Sequence, residues 1–138
     1  MKIRYTLCRP EGGLNDMLVQ ICACFQYSLR HSRVLIIDTL NTETFRQPFE
    51  KYFYFKSNKI TSFEKMFNFS QGVFLEKLRV FPPHARLLKP EQPKFISGKG
   101  YCHNGCPVTF DFRSDYSEDV IVHHQCGGGR QHLVKSSV

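Results

Sequence analysis

Tyr5-Thr-Leu-Cys-Arg-Pro-Glu-Gly-Gly-Leu-Asn-Asp-Met-Leu18, running on to Arg33-Val-Leu-Ile-Ile-Asp38, decides how this chain folds. Ile3 to Leu7 is a short β-prone run, and the pair Gly12-Gly13 breaks it. Leu14, Met17, Leu18, Ile21, Phe25 and Leu29 then recur at helical spacing, which predicts an amphipathic helix with that stripe buried. Arg30, His31 and Arg33 crowd the helix end, where cations suit the dipole. Val34 to Ile37 is a continuous apolar run ending in the carboxylate of Asp38, the pattern of a strand buried on both faces. The unit reads as βαβ, with a right-handed crossover expected.

Two readings of the glycine turn stand side by side. Glycines between a strand and a helix let backbone N–H groups approach a ligand, and the helix N-terminus carries partial positive charge. A phosphate or sugar hydroxyl would then sit on Gly12 and Gly13, with Asn15 and Asp16 as side-chain contacts. The plainer reading is a tight turn in which Asn15 or Asp16 caps the helix. Asp38, at the end of a parallel-type strand, points into the usual ligand crevice and suits a ribose or acceptor hydroxyl; it would serve equally to cap the next segment.

The stretch Arg9-Pro-Glu-Gly-Gly-Leu-Asn-Asp16, a helix and Arg33-Val-Leu-Ile-Ile-Asp38 resembles the opening of fucosyltransferase-like glycosyltransferases. Phe45 to Phe53 and Val120-Ile-Val-His-His-Gln-Cys-Gly-Gly-Gly129 are compatible with the same N-terminal lobe. The resemblance implies an α/β, Rossmann-like three-layer domain with a mostly parallel sheet, spanning residues 1–138. It further implies that Gly12, Gly13 and Asn15 lie at a cleft near a nucleotide-sugar, such as a GDP-sugar, or a glycan acceptor. This chain departs from the family pattern in having no glycine between Leu14 and Asn15, and in carrying Asp16 where an amide is usual. A second Rossmann-like unit does not follow, so the expectation is an N-terminal lobe without the donor-binding lobe, incomplete as a catalyst by itself.

Composition narrows the alternatives. One domain suits 138 residues, and 13 Phe with 6 Tyr supply ample core. No apolar run reaches the roughly 20 residues that span a bilayer, and the start lacks an apolar signal core, so a cytoplasmic chain is expected. The net charge of +7 favours acidic ligands, but Lys and Arg are scattered, which argues against a dedicated nucleic-acid protein. With no secretory signal, the 6 cysteines are expected as reduced thiols.

Further along, Phe45, Phe49, Tyr52 and Phe53 fit a short helix with Pro48 in its first turn. Such a stripe serves as core or, alternatively, as a stacking platform for an acceptor sugar. Ser62 caps another short helix, and Leu78 to Phe81 reads as a strand stopped by Pro82-Pro83. His84 to Pro93 is an irregular connection, and Phe95-Ile96 a brief strand. Cys102-His-Asn-Gly-Cys106 offers half of a zinc site or a hairpin turned at Asn104-Gly105; no metal or cofactor is assigned.

Val108 to Phe112 alternates as a strand would, and Asp119 to His124 reads as a second parallel-type strand. His123 and His124, followed by Gly127 and Gly128, suit an active-site edge: one histidine to orient or deprotonate a hydroxyl, and backbone that a ligand approaches freely. Alternation sends the two histidines to opposite faces, so one at most faces a given cleft. The rival reading is a non-catalytic interaction domain that forms a homodimer through its exposed sheet edge.

Overall fold

A computed structural model describes residues 2–70 and 77–125 of the chain. The elements are Arg4–Pro10 (β1), Leu14–Arg30 (α1), Arg33–Ile37 (β2), Ile60–Ser62 (β3), Phe63–Ser70 (α2), Val80–Phe81 (β4), Lys94–Ile96 (β5), Gly100–His103 (β6), Cys106–Pro107 (β7) and Val120–Gln125 (β8). Five strands form one sheet in the order β3-β2-β1-β8-β4, every neighbouring pair parallel. Strands β5, β6 and β7 form a separate antiparallel sheet. The protein is thus an α/β fold built on a parallel sheet. Among the described residues no helix is long and apolar enough to cross a membrane.

Both faces of the large sheet are buried, which is why its strands read as continuous apolar runs. One face carries Cys8, Leu35, Ile37 and Ile121, packed against Ala23, Cys24 and Tyr27 of α1 and against Phe110 and Phe112. The other carries Tyr5, Leu7, Ile36, Val120 and Val122, packed against Phe63 of α2 and against Ala85, Leu87 and Val108. The edge strands, β3 and β4, are three and two residues long.

Several expectations need correcting. Helix α1 buries the predicted stripe only in part: Met17 is buried and Ile21 and Phe25 pack against the core. Its sheet-facing side is Met17, Gln20, Ala23, Cys24, Tyr27 and Ser28, whereas Leu14, Leu18 and Leu29 are 54%, 41% and 53% exposed. Small residues let the helix lie close to the sheet, and the polar ones are hydrogen-bonded there: Ser28 Oγ donates to the Cys24 carbonyl at 2.7 Å. Neither Asn15 nor Asp16 caps the helix, because the N-cap is Gly13, with no side-chain bond.

The aromatic segment makes only a single 3₁₀ turn, Phe49–Lys51, entered from Pro48. It serves the core through Phe49, which stacks on Phe53 and Phe55 at 4.8 and 5.4 Å. Val108 to Phe112 is not a strand. Its alternation is real, with Val108, Phe110 and Phe112 buried, but side-chain packing holds it in place of a ladder. Phe110 and Phe112 stack at 4.3 Å, and only the Val108 carbonyl is taken up by β8, from His124 N at 2.9 Å.

Other local signals read correctly. Ser62 Oγ accepts from Lys65 N at 3.2 Å, three residues into the helix, as an N-cap does. The hairpin β6–β7 turns at Asn104 (φ 50°) and Gly105 (φ 80°), both left-handed, as a two-residue hairpin turn requires. The five described cysteines are free thiols.

Candidate functional site

The order β3-β2-β1-β8-β4 makes the chain leave β1 toward opposite sides, toward β2 on one flank and β8 on the other. Crevices at such reversals, outside the carboxyl ends of the strands, are where parallel sheets bind ligands. Here the polar residues gather at that end. Register pairs Cys8 with Ile37 and His123, and Arg9 with His124. Residues in register share a face, so Asp38, Arg9 and His124 form a row across three strands.

Arg9 is the hub of the row. It is 1% exposed, and its Nε donates to Asp38 Oδ2 at 2.6 Å. Nη1 and Nη2 donate to the carbonyls of Arg86 and Leu87 at 2.7 and 2.6 Å. Burial pulls the guanidinium below its ordinary value while Asp38 pulls the other way. Asp38 also accepts from Asn41 N at 3.1 Å and Asn41 Nδ2 at 2.9 Å. Its lone pairs are therefore spent on Arg9 and Asn41, inside the protein. The row fastens the sheet end to the 84–88 segment.

Glu11 and His124 form the second pair. Glu11 follows Arg9 by two residues and lies on the same side; its Oε2 is 2.8 Å from His124 Nε2. The carboxylate also accepts from Glu43 N at 2.9 Å and Thr44 N at 3.2 Å. Burial alone would raise the pKa of Glu11, but His124 and these amides outweigh it and hold the group below its ordinary value. His124 is lowered, chiefly by burial, with the Arg9 charge adding and the Glu11 hydrogen bond opposing. The ring is therefore neutral at pH 7. It donates from Nε2 to Glu11, which leaves the lone pair on Nδ1. That nitrogen is buried with no hydrogen-bond partner among the described residues. An imidazole held by a carboxylate, with a free lone pair, has the donor and acceptor set of a general base.

His123 lies on the opposite face, as alternation requires. Gln20 Nε2 donates to the carbonyls of Glu11 and Asp16 at 2.8 and 3.1 Å, which turns Gln20 Oε1 toward His123 Nε2, 2.8 Å away. Nε2 is therefore a donor, and Nδ1 accepts from Thr109 Oγ1 at 2.8 Å. The Nε2 bond ties β8 to α1 and the Nδ1 bond ties it to the segment at Thr109, so both ring nitrogens are engaged within the protein.

One cavity is lined by Glu11, and another lies beyond His103, whose ring packs against His124. The larger, about 310 Å³, is lined by Pro83, His84, Arg86, Glu91, His103 and Asn104. His103 joins it to the pair: its ring meets His124 edge-on at 6.0 Å, and its Nε2 donates to the Glu91 carbonyl at 2.6 Å. Burial lowers His103 as well, partly offset by that carbonyl. The smaller cavity, about 90 Å³, is lined by Glu11, Gly12, Glu43, Thr44, Pro93 and Tyr101.

Of the residues singled out from sequence, Gly12 borders a cavity and needs its glycine, with φ 102°. Gly13 is at the exposed turn in ordinary extended geometry (φ −69°), with open space where a Cβ would be. Asn15 is exposed and Asp16 half-buried in the first turn of α1. Gly127 and Gly128 lie outside the described residues. Among the described residues no three His, Cys, Asp or Glu side chains converge as a metal needs, and Cys102 is buried while Cys106 is exposed.

Sequence reading missed Glu11, Gln20 and the structural part of Arg9. The available signal was two charged residues, two apart, at the end of an apolar strand next to a glycine pair. Compared with protein-family models, with curated proteins and with solved structures, the chain finds no match.

Proposed function

We propose that this chain is a Rossmann-like, ligand-binding lobe of the fucosyltransferase-like kind. Its crevice at the carboxyl ends of β1 and β8 takes a hydroxyl-rich ligand, a glycan acceptor or a nucleotide-sugar. One observation carries the reading: the buried Glu11–His124 pair, with Nδ1 of His124 unsatisfied, between the Gly12 turn and the cavity of His84, Arg86 and His103. In this reading His124, oriented by Glu11, accepts the proton of a ligand hydroxyl, while Gly12 lets backbone approach the sugar. Arg86 suits the negative charge of a nucleotide. His103 stands between the larger cavity and His124, so a ligand reaches Nδ1 by displacing that ring.

The test is an NMR titration of the whole chain with GDP, UDP and free sugars. Amide shifts centred on Gly12, Thr44, Tyr101 and His103 are expected, and His124→Gln should abolish them while leaving the spectrum otherwise folded. Shifts absent from these residues at millimolar ligand, with the fold intact, end the proposal.

A further inference from the structure

The segment that follows the 3₁₀ turn presents aromatic rings to solvent. Exposure alternates along it: Phe53 and Phe55 turn toward the core and stack on Phe49 at 4.8 and 5.4 Å, while Tyr52, Tyr54 and Lys56 are exposed. Tyr52 and Tyr54 are 59% and 78% exposed, and among the described residues no large apolar side chain is more exposed than Tyr54. Tyr52 is braced where it stands. The Phe45 ring meets it edge-on at 5.6 Å, and Lys51 Nζ lies 5.6 Å from its centroid. Alternation of this kind is extended backbone, and rings two residues apart on one side of it stand about 6–7 Å from each other.

Charge gathers on the same stretch. Residues 46–59 hold Arg46, Lys51, Lys56 and Lys59, all exposed, against one acid, Glu50. The segment therefore carries +3 of the chain's net +7. Among the described residues none of the four cations makes an ion pair with a carboxylate. Arg46 Nε donates to the Glu43 carbonyl at 2.6 Å and Lys51 Nζ to Gln47 Oε1 at 3.3 Å, neutral acceptors that leave the charge uncompensated. Uncompensated cations suit an anion, and exposed rings suit a partner with a flat π-face. A neutral glycan lacks the charge; a sulfated glycan or an anionic bilayer lacks the stacking face. A single-stranded nucleic acid has both, phosphates for the cations and unpaired bases for the tyrosines. A duplex keeps its base faces inside its own stack.

We propose that Tyr52 and Tyr54, with Arg46, Lys51, Lys56 and Lys59, form a binding surface for single-stranded nucleic acid. Each tyrosine takes one base, and the cations on either side follow the phosphates. Stacking tolerates every base, so little sequence preference is expected. The crevice at β1 and β8 is not used, and the surface stands whether or not the proposed function does.

Fluorescence anisotropy of a labelled oligo(dT) of roughly 12 nucleotides, titrated with the whole chain at about 50 mM salt, is the test. A Kd in the micromolar range is expected, with a log–log salt slope near −3, from about 0.7 counterion released by each of the four cations. Tyr54→Ala should weaken binding at least about five-fold with an unchanged circular dichroism melt, and Tyr54→Phe should bind as the parent chain does. Lys56→Gln/Lys59→Gln should weaken binding and flatten the slope by about 1.4. Absence of saturable binding up to about 200 µM chain, or equal affinity for duplex DNA or heparin with no response to Tyr54→Ala, overturns the proposal. Displacement of the oligonucleotide by millimolar GDP would seat it in the crevice and overturns it as well.

Discussion

Glu11 Oε2 and His124 Nε2 lie 2.8 Å apart across two adjacent strand ends, although the two residues are 113 positions apart in the chain. The closeness follows from β8 inserting next to β1, so that the first strand of the chain and the last described one share a register. Around this pair the molecule places its buried charges in compensated form: Asp38 with Arg9, and Glu11 with His124 and two backbone amides. Buried ionised groups persist only when paired and hydrogen-bonded in this way.

Arg9 is the first place to test this. Arg9→Leu leaves Asp38 buried without its cation and strands the Arg86 and Leu87 carbonyls. A loss of about 3–5 kcal/mol is expected, measured by urea unfolding at pH 7.5. Arg9→Lys keeps the charge but cannot span the carboxylate and both carbonyls, so its loss should be intermediate. A cost below 1 kcal/mol for Arg9→Leu, on the order of a surface change, would contradict the hub role.

The pH dependence of stability has a definite sign. His124 is held below its ordinary 6.5 in the folded state, so the unfolded chain takes up its proton first and stability falls as pH drops below about 6.5. His31 and His103, also lowered mainly by burial, add to the same window. Glu11 lies below its ordinary 4.5, so its stabilisation is present above that pH and is lost as pH falls through its folded value. Denaturant midpoints at pH 7.5, 6 and 5 should decline in that order, and His124→Gln should flatten the decline. A midpoint that rises toward pH 5 would reverse the assignment.

Gln20 joins three elements through one amide. Gln20→Met conserves volume but removes the donors to the Glu11 and Asp16 carbonyls and the acceptor for His123 Nε2. Leaving the Glu11 carbonyl and His123 Nε2 without this partner costs about 1–3 kcal/mol. Equilibrium unfolding reads the loss, and an unchanged midpoint would mean water replaces the amide.

The two glycines of the turn should part company. Gly12 has φ 102°, so Gly12→Ala is expected to cost roughly 1 kcal/mol or more. Gly13 sits at the N-cap with φ −69° and open space around it, and no side chain caps the helix. Gly13→Ser supplies the missing cap oxygen and should stabilise by a few tenths of a kcal/mol. Paired thermal melts of the two variants decide it, and equal destabilisation by both would refute the distinction.

Local patterns in the chain carried much of the architecture. Gly12-Gly13 between an apolar run and a helical period marks the β1–α1 turn, and Val34 to Ile37 marks a strand buried on both sides. Ser62 announces its helix, and Asn104-Gly105 its hairpin. Each of these is decided by φ preference, hydrogen bonding or periodicity within a few residues, so it is readable without knowing the fold. Alternation alone also separates His123 from His124.

Which side of α1 faces inward was decided by the tertiary structure, because the helix has two apolar stripes and the sheet accepts the one with small residues. Likewise, nothing local distinguishes Val108 to Phe112 from a strand; its irregular path follows from Phe110 and Phe112 packing beneath α1. The site lies furthest from sequence. Arg9 with Glu11, then Asp38, His103 and His124, come from four separate places in the chain, and only strand order and register bring a carboxylate to an imidazole. Composition and spacing determine which groups exist; the free energy of burying and pairing them determines where they meet.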